Sequence, residues 1–281
     1  MRLATIHHQG VEQAAVVVGE RVVPVRRINA ELERSWPDTL SELITAGLDR
    51  RLGLDAEATK GGMKRSEALF APPYRHPRKI WGIGLNYKDH ARDLGAPFPD
   101  EPASFLKGDH TIIGQGDRIL LPRQSSRVTA EGELALVIGR TCRNVTAERA
   151  LEFVAGATLA IDLTAEDILQ RNPRFLTRAK NFDTFFSFGP ELITLDEAGD
   201  LGTLRVGTYL NGQLHRDNAV ANMAFSPAFL VSFHSCVATL HAGDIISTGT
   251  PGAVVIADGD TAECRIDRLG TLANPVARLP G

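Results

Sequence analysis

Cysteine is scarce: Cys142, Cys236 and Cys264 are odd in number, widely spaced and without a CxxC pair. That excludes a disulfide framework and a cysteine-rich zinc site, and fits reduced thiols packed as small apolar residues. Long hydrophobic runs are missing too. No apolar stretch approaches the roughly 18 residues that span a bilayer, and the opening MRLATIHHQGVEQAAVVV lacks the basic-then-apolar order of a signal peptide. Charge of one sign is not in excess either, with 31 basic and 34 acidic side chains, a net charge of -3 and no basic block. An extended phosphate backbone is a poor partner for such a chain. These absences predict a cytoplasmic protein with no membrane or nucleic-acid partner. No internal repeat or low-complexity tract is visible.

What is present suits an enzyme. A chain of 281 residues, 43% apolar, can bury a large core as one domain or as one domain with a smaller companion. In the first seventy residues, ATIHH, QAAVVVG and RVVPVRR read as short strands. TLSELITAGLDRRLG then places Leu40, Leu43, Ile44 and Leu48 at helical spacing, with Thr39 and Glu42 in capping-box positions. The Gly-, Lys- and Pro-containing stretch before IWGIGLN marks a boundary near residue 72. The expected organisation is a small α+β unit over 1–72 and a larger, strand-rich α+β domain over 73–281. Within the latter, AERALEFVAG (Ala147, Ala150, Leu151, Val154) and SPAFLVSFHSCVATL (Leu230, Phe233, Val237, Leu240) predict packing helices. Asn211-Gly212 predicts a tight hairpin turn.

The chemistry-bearing residues begin in AEGELALVIGR. Glu131 and Glu133 stand two apart, so on a strand they share one face about 7 Å apart. Approaching a core, such a pair must be protonated, matched by a base or bound to a cation; at a solvated strand end it needs none of these. Asp162, in LAIDLTAED, closes another apolar run and would complete a hard-oxygen site suited to Mg²⁺, Mn²⁺ or Ca²⁺. His90 and Asp93 in GLNYKDHARDLG are i and i+3, either a base with its orienting acid or an incidental pair at a helix start. The glycines of GIG, Gly82 and Gly84, do not form a dinucleotide fingerprint, because the third position is Tyr87. Lys180, before an aromatic run in RAKNFDTFFSFGP, would need an anion if buried and a surface salt bridge if not. GDIISTGTPG supplies a loop with Gly249 and Thr250 that could hold a carboxylate or be a plain turn.

In order along the chain, GLNYKDHARDLG, FLKGDHTIIGQGDRILLP, EGELALVIGR, AGATLAIDLTAED, AKNFDTFFSFGP, LNGQ and AGDIISTGTPG resemble the successive signatures of the fumarylacetoacetate hydrolase superfamily over roughly residues 76–281. The N-terminal segment resembles the small domain of longer members. The resemblance implies a mixed β-roll or β-sandwich with packed helices, a homodimer, and a bound Mg²⁺ or Mn²⁺ that takes a small 2-oxo or dicarboxylic acid. It makes Glu131, Glu133 and Asp162 the metal ligands, Lys180 the lysine beside developing negative charge, His90 the activator of water and Asp93 its orienting acid. Thr250, Gly249 and Lys107 become candidate substrate contacts. The sequence departs from the family in three places: Asp93 stands where Glu is common, Glu166 and Leu169 stand where Arg and Gln are common, and GTPGAV is one residue short between Pro251 and Gly252.

The leading expectation is a metal-dependent C–C bond hydrolase acting on an acylpyruvate-like 2,4-dioxo acid through a chelated pyruvate enolate. Oxaloacetate decarboxylation or keto–enol isomerisation on the same site is the first alternative. A non-catalytic, metal-stabilised binding protein is the second.

Overall fold

The computed structural model describes residues 1–88 and 99–279. At the N-terminus, β1 (Arg2–His8), β2 (Val11–Val18) and β3 (Arg21–Pro24) form an antiparallel meander, followed by α1 (Val25–Leu32), α2 (Leu40–Ala46), α3 (Arg51–Ala58), β4 (Met63–Lys64) and β5 (Leu69–Ala71). Then come β6 (Ile80–Gly84), β7 (Ala103–Lys107), β8 (Ile112–Ile113), β9 (Ile119–Leu121) and two long strands, β10 (Val128–Ile138) and β11 (Val154–Ala165). The remainder comprises β12 (Phe186–Thr194), β13 (Arg205–Leu210), β14 (Gln213–Ala219), β15 (Ile245–Ser247), β16 (Ala253–Ile256), β17 (Thr261–Ile266) and β18 (Gly270–Arg278). Helices α4 (Ala147–Ala150), α5 (Glu166–Arg171), α6 (Leu176–Lys180), α7 (Leu195–Ala198) and α8 (Pro227–Val237) sit between these strands.

Among the described residues, thirteen strands make one sheet whose main path is β4-β3-β2-β1-β12-β11-β10-β15-β6-β7. Five more, β14-β13-β17-β18-β9, make a second. The expected α+β architecture of two packed sheets with helices is therefore the fold. The N-terminal meander is joined edge-on to the rest, with β1 paired to β12 and Leu3 opposite Leu192. The boundary expected near residue 72 falls in the link between β5 and β6.

Strand β10 is the centre of the molecule because both its faces are buried. Leu134, Leu136 and Ile138 pack with Val206, Cys264 and Ile266 of the second sheet. Ala135 and Val137 pack on the other side with Leu3, Ile28, Leu43 and Phe188. A continuous apolar run rather than strict alternation is what a strand buried on two sides requires. Its free edge is shared: residues 135–137 pair with β15 and 128–131 with β16. Between these two stretches the loop 248–252 replaces a partner strand.

Several helix boundaries differ from the sequence reading, each for a local reason. Thr39 does cap α2, accepting from the Glu42 N–H and bonding the Glu42 carboxylate at 2.7 Å, but Gly47 at φ +84° ends the helix before Leu48. Residues 25–32, read partly as strand, form α1 after Pro24. Val154 starts β11 instead of ending a helix. On α8 the buried face is Pro227, Leu230, Val231, His234 and Ser235, so the stripe is rotated from the expected one and Val237 is exposed. The hairpin holds: Asn211 (φ +53°) and Gly212 (φ +79°) turn β13 into β14.

Gly132, between the two glutamates, lies where the sheets touch. A Cβ there would sit 3.0 Å from the Gly207 carbonyl oxygen and 3.1 Å from Thr208 Oγ1, which also accepts the Gly132 N–H at 3.0 Å. Gly132→Ala is expected to lower stability by about 1–3 kcal/mol through overpacking. Urea unfolding checks this, and an unchanged midpoint would contradict so close an approach of the two sheets.

Candidate active site

Register brings the three acids together. Glu131 is the direct cross-strand partner of Asp162, and Glu133, opposite Ala160, lies on the same face. One oxygen from each carboxylate lies within 4.8 Å of the others. Glu133 and Asp162 are each 1% exposed. Three carboxylates so placed repel and are poorly hydrated, so every neighbouring group must answer their charge.

Two lysines do so. Lys180, at the end of α6, donates to Glu131 Oε2 at 2.7 Å and to Asp162 Oδ2 at 2.6 Å. Lys107, at the end of β7, donates to Asp162 Oδ1 at 2.6 Å and to the Lys180 carbonyl. The Phe105 ring covers Lys180, its centroid 4.9 Å from Nζ. Glu133 is held differently, by neutral donors: its Oε2 accepts from the Ser247 hydroxyl at 2.6 Å and the Gly249 N–H at 2.9 Å.

Protonation follows from this arrangement. Burial, then the charges of Asp162 and Glu131, push the Glu133 carboxyl up to about 8. Burial also acts to raise Asp162, but Lys107 and Lys180 outweigh it and hold that carboxyl below its ordinary range. Lys107 is lowered, chiefly by burial. Burial acts downward on Lys180 as well, yet Asp162 and Glu131 more than offset it and keep the ammonium charged.

The oxygens fit a divalent ion. Metal–oxygen bonds of about 2.0–2.6 Å place two oxygens on one ion no more than about 4–5 Å apart, and the set is all carboxylate, the donor type that Mg²⁺, Mn²⁺ and Ca²⁺ prefer. Glu131, Glu133 and Asp162 are the residues that would hold it.

The other expected site residues divide. Lys180 and Gly249 are at the cluster, Gly249 through its backbone N–H. Its φ is +96° and a Cβ would meet Asn86 Cβ at 2.8 Å, so glycine is required. Lys107 is also there, with its ammonium on Asp162 and backbone carbonyls, which makes it a strut for the ligand set. Thr250 is buried one residue beyond Gly249, its hydroxyl donating to the Gly252 carbonyl at 3.1 Å and accepting the Gly252 N–H at 3.2 Å. His90 and Asp93 lie outside the described residues. Glu166 points to Arg127, 2.5 Å away, and Leu169 packs against the main core. The sequence reading missed Ser247 and Asn86. Ser247 ends the short apolar strand IIS and Asn86 follows the apolar IWGIGL just beyond β6, and a polar residue closing an apolar run was the available signal.

Comparison with known proteins agrees with this geometry. Residues 79–277 match the fumarylacetoacetate (FAA) hydrolase C-terminal family, and the chain belongs to that family. It is 38% identical over 223 residues to the mitochondrial oxaloacetate tautomerase FAHD2B of Bos taurus, covering 76% of this chain and 71% of that protein. Over all of both chains it superposes on 5-carboxymethyl-2-hydroxymuconate delta-isomerase from Mycobacterium smegmatis with a TM-score of 0.80 and 31% identity. Maleylpyruvate hydrolase from Sphingobium sp. SYK-6, solved with manganese(II) and pyruvate, gives 0.82 at 28% identity, again over all of both chains. Among the described residues no helix is long and apolar enough to cross a membrane.

A raised Glu133 has a consequence for the metal-free protein. The folded state keeps a proton that the unfolded chain releases near the ordinary 4.5, so stability contributed by protonated Glu133 is full below that value and is lost as pH rises towards about 8. Thermal unfolding in chelator, run from pH 5 to 8.5, is expected to show wild type losing stability relative to Glu133→Gln. Parallel curves would remove the case for a protonated Glu133.

Proposed function

We propose that the protein catalyses keto–enol tautomerisation of a small 2-oxo dicarboxylic acid of the oxaloacetate class, with a divalent ion at Glu131, Glu133 and Asp162. The observation that carries this reading is the buried Lys180 ammonium bridging Glu131 and Asp162. It puts a fixed positive charge beside an all-oxygen ligand set. The identity to oxaloacetate tautomerases favours this class over other enolising reactions.

A bound divalent ion supplies Lewis-acid polarisation of the 2-oxo group. The chain's own groups do the rest. Tautomerisation moves one proton between carbon 3 and the 2-oxygen, and negative charge grows on that oxygen while the C–H bond breaks. Lys180 faces the growing charge without reorienting, because two carboxylates hold it, and Phe105 limits water around it. Lys107 and the 2.6 Å bond to Asp162 fix that carboxylate, so the ligand set is preorganised.

Hydrolysis of an acylpyruvate is the second reading, favoured by the likeness to maleylpyruvate hydrolase and by His90 and Asp93 in the sequence. It needs the same charge stabilisation plus an activated water, for which His90 is the candidate.

One experiment separates them. Oxaloacetate and a panel of acylpyruvates are incubated with the enzyme and Mg²⁺, Mn²⁺ or chelator, following enol absorbance and pyruvate together. The expected result is metal-dependent enol–keto interconversion of oxaloacetate without pyruvate release. Lys180→Met should lower kcat by about 10²–10³, the usual cost of removing one preorganised stabiliser. Metal-dependent pyruvate release from an acylpyruvate that disappears in His90→Ala would establish hydrolysis instead. Neither signal under any metal would refute both readings.

A further inference from the structure

Asn86, two residues beyond β6, is fully buried, and both its amide nitrogen and its amide oxygen are hydrogen-bonded. Nδ2 donates to the Thr248 carbonyl at 2.7 Å and to the Phe225 carbonyl at 3.0 Å, while Oδ1 accepts the Phe225 N–H at 2.9 Å. The Asn86 carbonyl accepts the Ala224 N–H at 2.9 Å. One side chain thus ties three segments: the end of β6, the approach to α8, and the loop after β15.

The bond to Thr248 matters because of what lies across the peptide. The Thr248 carbonyl and the Gly249 N–H belong to a single planar trans unit and point in opposite directions. Asn86 grips the carbonyl end, and the N–H end donates to Glu133 Oε2 at 2.9 Å. Orienting one end orients the other. The constraint is needed because Gly249, at φ +96° and lacking a Cβ, does little to stop this peptide plane from turning over. Thr248 is pinned on its near side only, its N–H and hydroxyl both bonding the Leu134 carbonyl at 2.9 and 2.8 Å. Aligned in series, the two bonds also polarise each other.

We infer that Asn86 is a positioning residue for Glu133, acting through the Thr248–Gly249 peptide plane to aim one carboxylate of the ligand set. The inference rests on Glu133 being an ion ligand, as proposed above, but the clamp itself can be read without any ion.

The test uses the full chain with Asn86→Asp. This variant keeps an acceptor for the Phe225 N–H and sets a carboxylate against the Thr248 carbonyl, favouring a turned peptide. Asn86→Ser serves if the acid prevents folding. Amide hydrogen exchange in chelator is expected to speed up at least about tenfold at Gly249 while β10 and β11 keep their protection. Mn²⁺ affinity by calorimetry is expected to weaken about 10- to 100-fold, the scale for losing a group that orients a ligand. The cost of adding Ser247→Ala should differ between the Asn86 variant and wild type, because the Ser247 hydroxyl and the Gly249 N–H hold the same Glu133 oxygen. Unchanged Gly249 exchange in a folded variant, unchanged Mn²⁺ affinity, or strict additivity with Ser247→Ala would overturn the inference. Wild type that binds no Mn²⁺ would sink the ion reading of the function, and Gly249 exchange would then decide the clamp alone.

Discussion

Three carboxylates crowded on one face of a strand pair, two of them buried and the third partly so, are the constraint to which the rest of this structure responds. Each would be costly to bury alone, and their proximity adds repulsion. The molecule answers in two ways. Asp162 and Glu131 receive ammonium groups, from Lys107 on an edge strand and Lys180 at a helix end. Glu133 receives a hydroxyl and a backbone N–H, which bring no compensating charge, and burial together with the charges of Asp162 and Glu131 pushes its carboxyl up to about 8. The asymmetry sets up a site with two carboxylates paired to ammonium groups and one held by neutral donors alone.

A gap in hydrogen bonding along β10 makes this arrangement possible. If β15 and β16 were one strand, the edge beside Gly132, Glu133 and Leu134 would be filled by a regular ladder, and no loop amide could turn towards a side chain. With the pairing interrupted, the Gly132 N–H goes to Thr208 and the Leu134 carbonyl to Thr248, while the Gly249 N–H turns to the carboxylate. The second sheet is part of the solution, since Thr208 reaches the gap from β13. Gly132 and Gly249 are both required for close approach here, one between sheets and one within the loop.

Much of this was legible in the sequence, for identifiable reasons. A period of two puts Glu131 and Glu133 on one face whatever the fold, and the apolar runs around them and around Asp162 marked buried strands. Asn211-Gly212 marked its turn because both residues tolerate positive φ. Cross-strand register was not legible: nothing local says that Glu131 opposes Asp162 rather than Leu163. The place of Lys107 was likewise hidden, because its partner is 55 residues away and its neighbours in FLKGDH give no sign that the ammonium turns inward. On α8 the pattern misled because the helix is apolar nearly all round, and His234 and Ser235 take the buried face that Phe233 and Val237 were expected to fill.

The departures from the family pattern at Glu166 and Leu169 change the site less than their chemistry suggests. An added acid near three carboxylates ought to repel a second carboxylate on the substrate. Glu166, however, is turned to Arg127 and its other oxygen accepts from Gln170, so its charge is already matched outside the ligand set. Leu169 lies against the core and offers the site neither donor nor acceptor. Relative to the family pattern, these positions lack a cationic and an amide donor of the kind that favours an extra carboxylate or a polar tail. Lys180 and the three acids that could hold an ion keep their geometry, with Lys180 bonded to Glu131 and Asp162. Under the tautomerase reading proposed above, Lys180 and the three-carboxylate ligand set are the groups that would serve enolisation of a short 2-oxo acid, the class to which the similar oxaloacetate tautomerases point.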